Sequence, residues 1–228
     1  MKIVISLGGS LLTADFSSEN LRRFTNIIKE ISDKSYRLIV VVGGGKIARE
    51  YIKISGSFEV PDFKKDYVAI KITQANAALF AASLGDYAEH EIKRGHEEIV
   101  EQFNNTEKIV VCGGTVPGQS TDGVSAKLAN AIDADLVVNA TNVSGVYDSD
   151  PKENKNAKKI KKLTHAEFMK IIENNEQAPG KYGLFDIKAV NILEEKHIKL
   201  VIIDGSEPNE ILWAVEGKHK GSEIHSLK

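Results

Sequence analysis

The sequence of 228 residues predicts an α/β fold with a mostly parallel central sheet. Short runs rich in valine and isoleucine recur along the chain, and most of them end at or just before a glycine. Stretches with helical periodicity follow these runs. The runs are almost continuously apolar, as strands buried on both faces of a parallel sheet are. The predicted strands are Lys2–Leu7, Arg37–Val42, Lys108–Cys112, Leu136–Ala140 and Lys199–Ile203.

The predicted helices repeat apolar residues at helical spacing. In the first, Leu21, Phe24, Ile28 and Ile31 share one face, and Ser18 is expected to cap the N-terminus. The polar stretch from Asp150 to Lys162 is either an exposed loop before a strand or part of a nucleotide-binding edge. Further helices are expected over Ile47–Gly56, from about Asp62 to Leu84 with a stop at Gly85, over Val124–Ile132, after the capping box Thr164–Glu167, and after an N-cap at Asp186.

Composition restricts the kind of partner. The chain has 30 basic and 32 acidic residues and a formal net charge of −2, which argues against a cationic surface for a nucleic acid polymer or a membrane. No apolar run has the length of a membrane span, and the first residues lack a signal-peptide pattern, so a cytoplasmic protein is expected. The single cysteine, Cys112, follows an apolar run and is predicted to be a buried core residue rather than a nucleophile.

Three predicted strands end at glycine turns: Gly8-Gly9-Ser10, Gly43-Gly44-Gly45 and Gly113-Gly114-Thr115. Ligands of parallel sheets bind beyond the carboxyl ends of the strands. Glycine lets the backbone approach an anion closely, and a following helix adds free N–H groups. One such turn fits a plain strand-to-helix connection equally well, but three in one chain predict a phosphate site. They match neither the Walker sequence nor the Gly-x-Gly-x-x-Gly fingerprint.

Two cationic residues follow the second turn within one helical turn. Lys46 and Arg49 stand at positions i and i+3, so they share one face of the predicted helix. Lysine offers a compact charge and arginine a bidentate fork, and both suit phosphate. The alternative is a solvated basic pair on a surface helix. Their place beside a glycine turn favours the phosphate role, and the chain is predicted to be a kinase for a small molecule.

Six segments carry a family resemblance over essentially the whole chain. They are VISLGGSLL at 4–12, VVGGGKIAREY at 41–51, DYVAIKITQANA at 66–77, GGTVPGQSTDGVSA at 113–126, ATNVSGVYDSDP at 140–151 and VEGKHKGSEI at 215–224. Together these segments resemble the amino acid kinase superfamily, and within it the archaeal-type uridylate (UMP) kinases. The resemblance implies a three-layer αβα sandwich and transfer of the γ-phosphate of ATP to UMP, with Mg²⁺ bound to ATP.

The resemblance also implies an organisation. It points to a single domain over residues 1–228, with a UMP lobe over about 1–131 and an ATP lobe over about 132–228. A homohexamer built as a trimer of dimers is expected, acting in de novo pyrimidine nucleotide (CTP) synthesis. The ATP-binding residues that it implies are Leu7, Gly8, Gly9, Ser10, Gly45, Arg49, Thr141, Asn142, Tyr147 and Asp150. The UMP-binding residues that it implies are Gly44, Asp66, Gly114, Thr115, Val116, Pro117, Gly118, Gln119, Ser120 and Thr121.

The expected catalytic residues are Lys46, Arg49 and Asp122. A UMP phosphate is already anionic near neutral pH, so catalysis consists of positioning and charge neutralisation rather than general-base chemistry. The metal is expected through the phosphates of ATP, without dedicated protein ligands. Asp122 is interpreted as an acid that orients a lysine or the metal, or equally as the N-cap of the helix after Thr121.

Three residues depart from the family pattern. Ser6 stands where most of the superfamily has a lysine, Ser144 replaces a usual aspartate, and Gln74 stands where relatives often have arginine. Two alternatives to a UMP kinase therefore stay open at this point. One is another kinase of the superfamily, acting on an isoprenoid phosphate, a carbamate or a carboxylate. The other is a non-catalytic protein that binds a nucleotide or an oxyanion on the same fold.

Overall fold

The structure is a computed structural model that describes residues 1–13, 15–151, 153–176 and 184–226. Its strands, in chain order, are β1 (Lys2–Leu7), β2 (Arg37–Val42), β3 (Val110–Cys112), β4 (Leu136–Thr141), β5 (Val146–Tyr147), β6 (Lys159–Ile160), β7 (Lys162–Thr164), β8 (Lys199–Asp204) and β9 (Ser222–His225). Seven of them form one sheet in the order β3-β2-β1-β4-β8-β9-β7, and β5 pairs with β6 in a separate ladder.

The central sheet is mostly parallel, as predicted. Within it only β8 and β9 pair in antiparallel fashion over the described residues. Helices cover both faces, which confirms the α/β class. The helices are α1 (Gly9–Leu12), α2 (Ser18–Asp33), α3 (Gly45–Gly56), α4 (Asp62–Leu84), α5 (His96–Asn105), α6 (Thr121–Ala131), α7 (His165–Glu176), α8 (Ile187–Glu195) and α9 (Asn209–Val215).

The core lies on both sides of the sheet because successive strand residues face opposite directions. On β1, Ile3, Ile5 and Leu7 pack with apolar residues of α2, α4 and α9. Val4, on the other face, belongs to the cluster formed with α5, α6, α7 and α8. Cys112 is fully buried in this second cluster, and burial raises the pKa of its thiol to about 12. The prediction of a core cysteine is confirmed.

Several predicted boundaries are exact, and others are shifted by one to three residues. The ends of α3 at Gly56 and of α4 before Gly85 agree with the structure, and Thr164 and Glu167 form the predicted capping box. Ser18 is not the N-cap of α2, because the Ser17 hydroxyl accepts the N–H of Asn20 at 3.1 Å.

The third strand begins at Val110 rather than at Lys108. The reason is that Ile109 forms an isolated bridge with Ala88, outside the main sheet. The predicted elements do not include the helices α1, α5 and α9 or the short strands β5, β6, β7 and β9. The Asp150–Lys162 stretch contains β6 and reaches the start of β7.

The long helix α4 belongs to the core. With the turn that follows it, the segment Asp62–Tyr87 has the length and composition of a membrane span. However, Ile70, Ala77, Phe80 and Leu84 are buried in the fold. The apolar window of this segment is 39% buried inside the fold, so packing explains part of its apolar surface.

One sheet crosses the predicted boundary between the lobes, because β1 pairs with β2 on one side and β4 on the other. The division into UMP and ATP lobes stays a prediction.

Candidate active site

The first two glycine turns touch each other beyond the carboxyl ends of β1 and β2. Gly9 and Gly43 approach so closely that a Cβ on either would collide with the backbone of the other. The carbonyl of Leu7 accepts the N–H of Gly43 at 3.0 Å. Leu7 is fully buried, backbone included, so its predicted contact with ATP stays a prediction. The close approach explains why both turns require glycine.

The first turn is also joined to the end of β4. The N–H of Gly8 donates to the carbonyl of Ala140 at 2.9 Å, and the hydroxyl of Thr13 donates to the carbonyl of Gly9 at 2.8 Å. Ser10 follows in the first turn of α1 and is half-buried. The turn is thereby held between the strand that precedes it and the strand that leads to Thr141.

A cleft of about 400 Å³ opens between the second and third glycine turns. All the predicted UMP-binding residues except Thr115 and Pro117 line it. Gly45 and Arg49, which were predicted to bind ATP, line it as well. Its lining residues are Gly44, Gly45, Ala48, Arg49, Asp66, Ala69, Ile70, Thr73, Gly114, Val116, Gly118, Gln119, Ser120 and Thr121.

The two residues outside this lining belong to the same loop. Pro117 lines a neighbouring cleft that is mainly apolar and includes Phe58, Phe63 and Tyr67. The hydroxyl of Thr115 lies 3.4 Å from the side-chain oxygen of Gln119. Among the described residues, the amide nitrogen of Gln119 is buried without a hydrogen-bond partner, so it is a free donor beside the cleft.

The loop after the third turn is fixed at two points. The carboxylate of Asp66, on α4, accepts the N–H of Gly118 at 2.8 Å. The hydroxyl of Ser120 accepts the N–H of Gly123 at 3.0 Å and donates to the carboxylate of Asp186 at 2.8 Å. The loop therefore closes one side of the cleft by hydrogen bonds to α4 and to the residue before α8.

The structure places the two predicted cations differently. Lys46 is the second residue of α3, directly after Gly45, and it is exposed. Arg49 follows one helical turn later, is also exposed, and lines the cleft. Lys46 lies outside that lining, at the end of α3 that carries the positive helix dipole. Both remain free to turn toward an anion at the second glycine turn.

Asp122 is the second residue of α6 and lies beside Ser6 of β1. The hydroxyl of Ser6 donates to its carboxyl group at 3.4 Å. Burial, and then the nearby charge of Asp186, raise the pKa of Asp122 to about 7. The interpretation of Asp122 as an N-cap is wrong, because Ser120 occupies that position. A half-buried acid beside Ser6 suits the alternative role of orienting charged groups.

The second candidate nucleotide region follows β4. Thr141 ends that strand, and its hydroxyl lies 3.4 Å from the side-chain oxygen of Asn142. Tyr147 is half-buried, and its hydroxyl forms a hydrogen bond of 2.7 Å with that of Ser144. Ser144 therefore holds the tyrosine. The carbonyl of Asp150 accepts the N–H of Asn154 at 2.8 Å, which starts a turn.

The C-terminal strand holds this region in place. The hydroxyl of Ser222, on β9, accepts the N–H of Val146 at 2.8 Å and donates to the carbonyl of Ile160 at 2.6 Å. Lys159 donates to the carbonyl of Lys220 at 2.8 Å and to that of Ser144 at 3.3 Å. The segment VEGKHKGSEI is therefore connected to the tyrosine loop, although it lies about 70 residues later in the chain.

Sequence reasoning missed three polar residues of the site. Thr73 and Asn76 are buried on α4 and bond to the glycine turns, and Asp186 lies beside Asp122. Thr73 and Asn76 interrupt the apolar face of a long helix three residues apart. This interruption is the signal by which they could have been found.

Three glycine turns at the edge of a parallel sheet, with cations at the second, define a phosphate-binding α/β protein of the phosphotransferase type. The family model described as "Amino acid kinase family" matches residues 1–204. The chain belongs to the amino acid kinase family.

Relatives within that family are similar over almost the full chain. A uridylate kinase of Methanobrevibacter smithii is 35% identical over 226 residues, which are 99% of this chain and 100% of the relative. A uridylate kinase of Methanoculleus marisnigri is 39% identical, covering 98% of this chain and 95% of the relative.

Solved structures agree. The crystal structure of uridylate kinase from Archaeoglobus fulgidus has a TM-score of 0.88 and 37% identity, covering 98% of this chain and 100% of that one. The UMP kinase of Bacillus anthracis has a TM-score of 0.82 at 22% identity, covering 100% and 96%, and shares the fold.

Proposed function

We propose that this chain transfers the γ-phosphate of ATP to UMP and forms UDP and ADP. The observation that carries the proposal is the cleft between the second and third glycine turns, closed by the bond between Asp66 and Gly118. The cleft is polar at the glycine turns, and the carboxylate of Asp66 can accept a hydrogen bond from a ribose hydroxyl. The uridylate kinases among the relatives support a nucleotide acceptor.

The reaction needs two polyanions to meet in line. A nucleoside monophosphate is already ionised near neutral pH, with a second pKa of about 6, so the attacking oxygen needs no base. We propose that Arg49, which lines the cleft, contacts the acceptor side and that Lys46, at the start of α3, neutralises charge on the transferring group. The reaction then depends on positioning and electrostatic stabilisation.

ATP is proposed to enter as its magnesium complex, with the metal held by the phosphate oxygens. The first glycine turn and the region from Thr141 to Asp150 supply the ATP site in this proposal. The half-buried ring of Tyr147, held by Ser144, offers an apolar surface against which a base can stack. The half-buried Asp122, whose pKa is raised, is proposed to orient the cationic groups that meet the phosphates.

A homohexamer, cytoplasmic location and a place in pyrimidine nucleotide synthesis are also proposals. Exposed apolar side chains on α3, α4 and their connection favour assembly, because soluble monomers seldom expose such a patch. Five of these side chains are between half and about 70% exposed: Tyr51, Ile54, Phe58, Phe63 and Tyr67. Light scattering coupled to gel filtration measures the mass of the assembly.

The activity is tested with MgATP and a panel of acceptors: UMP, CMP, dUMP, isopentenyl phosphate, carbamate and acetylglutamate. The proposal expects the highest kcat/KM with UMP. Phosphorylation of a different acceptor with no turnover of UMP would replace the substrate. Binding of nucleotide with no turnover of any acceptor would favour a binding protein instead.

A further inference from the structure

We propose that Thr73 and Asn76 are positioning residues that hold the second and third glycine turns in fixed relation to each other. Both lie on α4, are 7% exposed, and stand almost one helical turn apart. With Gln74 between them they form the α4 clamp. The inference rests on the proposed function, because it concerns how the donor and acceptor phosphates are aligned.

The clamp holds the third turn through both backbone groups of Gly114, its N–H and its carbonyl. The hydroxyl oxygen of Thr73 accepts the N–H of Gly114 at 2.7 Å, and the amide of Gln74 donates to the carbonyl of Gly114 at 3.1 Å. A Cβ on Gly113 would lie 2.6 Å from the carbonyl carbon of Thr73. The turn therefore lies directly against the backbone of α4, and these contacts fix its distance from the helix.

The same helix face holds the second turn. The amide nitrogen of Asn76 donates to the carbonyl of Gly43 at 3.0 Å and to that of Gly44 at 3.3 Å. The methyl group of Thr73 lies close to the place where a Cβ on Gly44 would stand, at 3.4 Å. Two adjacent strands thus end in turns whose separation is set by one helical turn of α4.

The first turn is linked to this unit without side chains, because Gly9 contacts Gly43 and Gly45 through backbone atoms. All three glycine turns are therefore joined, by backbone contacts and by hydrogen bonds to α4. A small displacement of one phosphate-bearing site against another lowers the rate of an in-line transfer, and an error of about 1 Å can reduce it about 10²-fold. The binding of either nucleotide alone depends less on that separation.

The test compares Thr73→Val, which removes the hydroxyl at nearly constant shape, with Thr73→Ser, which retains it. We expect Thr73→Val to lower kcat about 10-fold or more, with KM for UMP and for ATP changed by less than about 3-fold. Thr73→Ser is expected to keep most of the wild-type kcat. Asn76→Ala tests the second turn independently, and we again expect a lower kcat with little change in either KM. The kcat of this variant is expressed per folded enzyme.

Ser83→Ala is the matched control. Ser83 is on the same helix and donates to the carbonyl of Phe80 at 2.7 Å, as Thr73 does to Ile70, but this hydrogen bond stays within α4. It should leave kcat unchanged. A Thr73→Val enzyme with a lower Tm and an unchanged kcat would show that Thr73 stabilises the fold but does not position the turns for catalysis. A loss in Thr73→Ser equal to that in Thr73→Val would show that the hydroxyl is not the cause.

Hydrogen exchange separates failure of the clamp from failure of the proposed function. The amide of Gly114 should exchange slowly in the wild type and faster in Thr73→Val, whatever the substrate is. If wild-type protein leaves UMP unchanged, the proposed function fails while this exchange still supports the clamp. Equal Gly114 exchange in wild type and Thr73→Val would overturn the clamp even in an active UMP kinase.

Discussion

Asp66 accepts a hydrogen bond from the backbone N–H of Gly118 at 2.8 Å, so an acid on α4 holds the loop that follows the third glycine turn. The same carboxylate lines the acceptor cleft. Asp66 therefore has two possible partners, the loop and a ligand hydroxyl, and both belong to the acceptor side.

Asp66→Ala should raise KM for UMP about 10-fold or more, with a smaller effect on kcat and on KM for ATP. The loop loses its anchor and the ribose loses an acceptor, and a hydrogen bond to a charged group contributes about 1.5–3 kcal/mol. Steady-state kinetics measure this. Asp62→Ala is the control, since Asp62 lies on the same helix but pairs with Lys65 at the surface. An unchanged KM for UMP would remove Asp66 from the acceptor site.

Lys46→Ala should lower kcat about 10²-fold, because a cation at the start of α3 would stabilise charge that develops during transfer. The family resemblance implies a lysine at the position of Ser6, and its replacement would make this cation more important. Lys53→Ala, at an exposed position of the same helix, is the control. A Lys46→Ala enzyme with near wild-type kcat would refute the role.

Asp122 should make the stability of the ligand-free protein depend on pH. Its pKa is about 7 in the folded chain against 3.8 as its ordinary value, so the folded state binds the additional proton between these two values. The free energy of unfolding should therefore fall as pH rises from about 4 to 7, and the loss should be complete above the folded pKa.

The measurement is urea unfolding of wild type and Asp122→Asn at pH 5 and pH 8. Asparagine carries no charge, so the variant should gain stability relative to wild type by about 2 kcal/mol between these two pH values. The same substitution should lower kcat if Asp122 orients cationic groups. A stability difference that is independent of pH would contradict the raised pKa of Asp122.

Ser222→Ala should raise KM for ATP more than KM for UMP. It removes the hydroxyl that joins Val146 to Ile160 and so loosens the loop that carries Tyr147. Leaving these buried groups unpaired should also cost about 1–3 kcal/mol of stability. Ser226→Ala, four residues later, is the comparison. Equal effects on the two KM values would separate the C-terminal strand from the ATP site.

The sequence predicted the frame of the fold because its signals are local. The first two strands, Lys2–Leu7 and Arg37–Val42, agree exactly with the structure, since each is an apolar run ended by glycine. The prediction of Ser18 as N-cap was wrong by one residue, because the adjacent Ser17 has the same chemistry. Pairings between distant segments, such as Ile109 with Ala88, carry no local pattern.

The site residues that belong to a sequence motif could be predicted, whereas those that reach the site only through tertiary contacts could not. The glycine turns and the Gly114–Thr121 loop stand out in the sequence, and the structure brings most of the loop to one cleft. Thr73 and Asn76 were missed because polar residues in a helix are usually exposed. Only the packing of α4 against the turns gives them partners.

The central claim is tested most directly by incubating the protein with MgATP and UMP and separating the nucleotides by chromatography. The account predicts UDP and ADP in equal amounts, formed at a rate proportional to enzyme and reduced by Lys46→Ala. ADP without UDP, or no reaction with UMP while another acceptor is phosphorylated, would contradict it.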